Sequence, residues 1–68
     1  MIQNDIELRA TLERIARFQA QVLLLRQTET NPVNYRASSS GFLAELDRMQ
    51  LAVREYFSIP PTDLAKAG

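Results

Sequence analysis

Three sets of side chains in this sequence are of a type that does chemistry. The first is the run Ser38-Ser39-Ser40, a potential source of a nucleophilic hydroxyl. A serine needs a neighbouring base to become a nucleophile. The chain has no histidine, and its single lysine, Lys66, is far along the sequence. The second set is Glu45, Asp47 and Glu55, which a carboxylate metal centre would require. Residues two apart on a helix point to different faces, so Glu45 and Asp47 do not converge, and Glu55 joins neither. Di-iron bundles also need histidine in a Glu-x-x-His pattern. With no cysteine, neither a thiolate metal site nor a disulfide exists. These carboxylates read as solvated charges. No phosphate-cradling glycine loop or nucleotide fingerprint is present. The sequence therefore predicts no catalytic residue, no bound metal and no cofactor, and the chain is not expected to be an enzyme.

The third set is the arginines: Arg9, Arg14, Arg17, Arg26, Arg36, Arg48 and Arg54. Arginine suits phosphates and base edges. Here it is interleaved with Glu7, Glu13, Glu45, Asp47 and Glu55, and eight basic residues balance eight acidic ones. That balance gives no single-sign stripe for a nucleic acid or an anionic membrane. A salt-bridged helical surface is the expectation. The rival is a nucleic-acid binder whose arginine face, Arg14, Arg17 and Arg48, is assembled across the dyad of an oligomer.

The elements that position these residues are helical. Asn4 is placed to cap a first helix, with Glu7 three residues on as in a capping box. Asp5 and Glu7 put negative charge where the helix dipole favours it. Leu8, Leu12, Ile15, Phe18, Val22 and Leu25 then recur at steps of three or four, and Glu13 and Arg17 stand as an i,i+4 pair. A first helix over about 5–28 follows. Asn31-Pro32 reads as the cap and first residue of a second helix. The serine-glycine stretch 37–41 has the composition of a loop. Yet Tyr35, Ser39, Phe42, Leu46, Met49, Val53 and Tyr56 keep an alternating step of four and three straight through it. We read one continuous helix over about 32–58, weak in its first turns because serine and glycine are poor helix formers. The alternative is a loop over 28–40 with a helix starting at Gly41. Pro60-Pro61 stops the helix. Residues 60–68 read as a flexible tail, with one frayed turn over Thr62–Gly68, so the domain is 1–59.

The fold class is all-α. A three-residue joint makes the helices antiparallel neighbours, with facing residue numbers that sum to about 60 or 61. This register pairs Leu25 with Tyr35, Val22 with Ser39, Phe18 with Phe42, Ile15 with Leu46, Leu12 with Met49 and Leu8 with Val53. Ser39 against Val22 is small against large, and close helix approach explains the Ser-Gly stretch better than a catalytic serine does.

The hairpin leaves apolar surface over. Val22 to Leu25 are consecutive and point around most of the helix circumference, and Leu43, Gln50 and Phe57 widen the stripe on the second helix. A chain of 68 residues buries only about 60% of its unfolded surface, and without disulfides or metals self-association is the remaining help. The expectation is a homodimer: two hairpins pairing into a four-helix bundle through Leu23, Leu24, Leu43 and Phe57. An adaptor that offers this surface to an unidentified protein is the other reading. The longest apolar run, Val22–Leu25, is far short of a membrane span. The first residues lack the positive charge of a secretory signal. A cytoplasmic protein without a membrane role is expected.

The opening Ile2-Gln3-Asn4 with Glu7-Leu8, then Leu12 through Arg26, a proline-containing joint and a second helix ending Val53-Arg54-Glu55-Tyr56 resembles the helical N-terminal segment of small bacterial antitoxin-like regulators. In those proteins a comparable hairpin precedes a helix-turn-helix DNA-binding domain. No such domain is read after Pro61, and no functional residue is carried over. The resemblance implies a bacterial or phage setting and a dimerisation or partner-binding role.

Overall fold

A computed structural model describes residues 1–63 as two long helices, α1 (Asp5–Thr28) and α2 (Pro32–Phe57), folded into a hairpin. No strand occurs among the described residues. Capping fixes both starts. Asn4 Oδ1 accepts the Glu7 N–H at 2.8 Å. Glu7 Oε1 accepts the N–H of Gln3, one residue before the cap, at 2.7 Å. The box is thus shifted by one residue from its usual reciprocal form. Asn31 Oδ1 accepts the N–H of Val33 at 2.9 Å and, more weakly, that of Asn34 at 3.4 Å, with Pro32 at the first helical position. Glu29, extended, closes α1 by donating its N–H to the Leu25 carbonyl at 2.8 Å. Its side chain accepts the Asn31 N–H at 3.1 Å.

α2 is continuous through the serine-glycine stretch. The reason lies in packing. Ser39 is only 2% exposed, at the seam slot the heptad assigns to it, so burial holds a locally weak sequence helical. Gly41 takes no part in close helix approach: a Cβ built there meets nothing within 4 Å. After Ser58 the chain turns, residues 61–63 are helical, and Asp63 donates its N–H to the Pro60 carbonyl at 3.0 Å. The rest of the predicted tail, 64–68, lies outside the described residues.

The core runs along the seam. Ile15, Leu46 and Met49 form its buried centre, with Phe18, Val22 and Val53 packed against it. The rings of Phe18 and Phe42 meet edge to face, centroids 5.5 Å apart. The Arg26 guanidinium lies over the Tyr35 ring at 5.9 Å. At the open end, the Tyr56 hydroxyl donates to Asp5 Oδ1 at 2.6 Å. These three contacts mark one register from the joint to the termini. Glu13 and Arg17 form no ion pair; among the described residues the pair made is Arg48 with Glu45, at 2.9 Å.

Candidate functional site

The seam accounts for only part of the apolar surface. Leu8, Val22, Leu25, Tyr35, Phe42 and Val53 are half-buried, as is Phe18. Leu12 departs from its expected place and is 42% exposed. A seven-residue rhythm set by Leu8, Ile15 and Val22, with Phe18 and Leu25, puts Thr11 on the seam, and Thr11 is indeed half-buried. Leu12 follows one position later and looks sideways. Two buried residues fall outside the predicted seam, Ile2 and Tyr56. Tyr56 continues the heptad of α2. Ile2 precedes α1, and no periodicity reaches it.

The hairpin has two distinct sides flanking the seam. One is charged. A groove of about 670 Å³ is walled by Glu7, Glu13, Arg14 and Arg17 of α1 and by Glu45 and Arg48 of α2. Ile2, Ala10, Met49 and Ala52 are also part of its lining. The structure therefore brings Arg14, Arg17 and Arg48 together within one protomer. It sets three glutamates among them and ties Arg48 to Glu45.

This groove fixes the handedness of the hairpin, because it shows which flank of α1 lies beside which flank of α2. At about 100° per residue, Leu12 and Leu23 lie on the flank of α1 opposite Glu7 and Arg14. Leu43, Gln50 and Phe57, spaced by seven, lie on the flank of α2 opposite Glu45 and Ala52. These two flanks form the other side of the hairpin. Leu43 is 44% exposed there, Leu23 55% and Phe57 65%. Phe57 also lines a shallow groove with Gln50, Val53 and Arg54. Leu24, half exposed, belongs to the charged side instead, in line with Ala10 and Arg17 at seven-residue spacing. Of the four residues expected to form one association surface, the structure groups Leu23, Leu43 and Phe57, adds Leu12 and separates Leu24.

Among the described residues no group of three or more acidic side chains is gathered to hold a metal ion. No helix among them is long and apolar enough to cross a membrane. Among the described residues the one marked titration change is at Tyr56. Its hydrogen bond to the Asp5 carboxylate, then burial, push the phenol from 10.0 to about 12. The ionised form would lose that hydrogen bond and repel Asp5. No protein-family model, curated protein or solved structure matches this chain.

Proposed function

We propose that this hairpin is a non-enzymatic protein–protein interaction module that works by self-association, as one half of a four-helix bundle. One observation supports the reading. The buried apolar side chains among the described residues are Ile2, Ile15, Leu46, Met49 and Tyr56, whereas Leu12, Leu23, Leu43 and Phe57 share one side and stay more than a third exposed. Taking a side chain of this size from full exposure to full burial is worth roughly 1.5–3 kcal/mol. These four are 42–65% exposed, so covering them is worth about half of that each, roughly 3–6 kcal/mol per chain, comparable with the lower part of the 5–15 kcal/mol that holds a small domain together. A regulatory setting of the toxin–antitoxin kind suits such a module.

The test is substitution on either side of the hairpin. Leu43→Glu on the apolar side should shift the chain to monomer in sedimentation velocity, and Leu24→Glu on the charged side should not. Equal behaviour of the two variants would count against this surface. A folded native chain that stays monomeric with the apolar side open would point to the adaptor reading, in which a different protein covers it.

A second reading, nucleic-acid binding, draws on Arg14, Arg17 and Arg48 sharing one groove. The glutamates between them weaken it. A gel-shift titration at low ionic strength decides, since phosphate contacts must appear there first.

A further inference from the structure

Resting on that self-association reading, we infer that the second copy packs on the Leu12–Leu23–Leu43 side about a two-fold axis that crosses the helices at right angles and passes close to Leu43. Each α1 then lies antiparallel on the partner's α1, and each α2 on the partner's α2.

The argument is one of matching. A closed pair of identical hairpins must use a two-fold axis, and two orientations bring this side onto its own copy. The Phe18–Phe42 contact sets Leu43 level with the stretch of α1 between Ala16 and Gln19. If the axis ran along the helices, each α1 would face the partner's α2 at the same level. Leu43 would then meet Ala16 and Gln19 of the partner subunit, and Leu12 the partner's Gln50. Every leucine would be set against a smaller or polar residue. With the axis across the helices, the match is different. Leu12 and Leu23 stand evenly to either side of the level of Leu43. Leu12 therefore meets the partner's Leu23, twice by symmetry, and the two copies of Leu43 meet near the axis.

Charge acts in both directions on this face: Arg9, on the stripe of Leu23, is set against the partner's Arg26, on the stripe of Leu12, whereas α2 supplies an attractive pair. Arg36 comes within one helical turn of the partner's Asp47, again twice. Neither residue makes an ion pair within the protomer among the described residues. Leu43 lies near the middle of α2, and its level lies near the middle of α1, so the hairpins overlap along almost the full length of both helices. Helices of 24 and 26 residues are about 36 and 39 Å long; at a width of 15 Å this face covers about 560 Å², at the small end of specific interfaces.

The chain has no cysteine of its own, which makes cross-linking clean. Leu43→Cys alone should give a covalent dimer on mild oxidation or with a short bis-maleimide. Leu12→Cys mixed with Leu23→Cys, one chain carrying a tag so that mixed dimers resolve by mass, should cross-link to each other. Ala10→Cys, on the charged side, should stay single. As a measurement free of cross-linking, Arg36→Asp and Asp47→Arg should each weaken the dimer roughly threefold to tenfold, and the double exchange should restore it. A sedimenting dimer that instead links Leu43→Cys to Gln19→Cys, or links through Ala10→Cys, overturns the axis and leaves self-association standing. A native chain that sediments as a monomer removes both.

Discussion

Replacing Gly41 with alanine isolates the most unusual stretch of the molecule. Gly41 lies inside α2, four residues from Ala37 and beside three serines, where the composition favours a loop. Glycine in a helix interior costs about 0.5–1 kcal/mol relative to alanine, because the unfolded chain has more freedom to lose. That gain is realised only where the new methyl meets no obstacle and the backbone is already helical. Both conditions hold: Gly41 has no positive φ, and a Cβ there meets nothing within 4 Å. Position 41 is also off the proposed dimer face, so the gain should not be traded against association. For a domain of this size 1 kcal/mol corresponds to about 4–8 °C. Gly41→Ala should therefore raise the melting temperature by about 2–8 °C in thermal circular dichroism. Native and variant must be compared at equal chain concentration, since the melting point of an associating protein depends on it. An unchanged or lowered melting temperature would mean that 37–41 is not helical in solution or that something packs on Gly41, and either outcome refutes the reasoning.

Other expectations concern the seam and its open end. Leu46→Ala empties the buried centre beside Ile15 and Met49 and should cost about 2–5 kcal/mol in denaturant unfolding. Ser39→Leu forces a large side chain into a site with no exposure to spare and should cost about 1–3 kcal/mol; a neutral result would show that the helices are not in close approach there. Tyr56 supplies a pH dependence with a definite sign. Its folded pKa of about 12 lies above the ordinary 10.0, so its contribution is complete below pH 10 and is lost as pH rises from 10 towards 12. The native chain should lose stability over that window, and Tyr56→Phe should flatten the loss; an identical profile in both would sink the assignment.

Much of the hairpin can be read from the residues. Asn4, Asn31 and Pro32 mark helix starts by local hydrogen-bond chemistry, which the sequence states directly. The alternating rhythm from Tyr35 to Tyr56 overrules the loop composition of 37–41 because seam burial outweighs a few tenths of a kcal/mol of propensity per serine. Leu12 shows where periodicity misleads. Two successive steps of three carry it off a seven-residue repeat, and Thr11 takes the slot because position on the helix, not hydrophobicity, decides what faces inward. Ile2 is buried ahead of α1, and the Tyr56–Asp5 hydrogen bond ties the end of α2 to the start of α1; no local pattern encodes either. The candidate surface was legible as an excess of apolar residues but not as a face. Which flank of α1 lies beside which flank of α2 is a property of the folded hairpin. That property places Leu24 with the charged groove and Leu12 with Leu23, Leu43 and Phe57.

Sedimentation equilibrium of the unmodified chain at micromolar concentration tests the central claim most directly. A mass twice the 7.7 kDa of one chain is the predicted result. A well-folded species holding at the single-chain mass as concentration rises would contradict it.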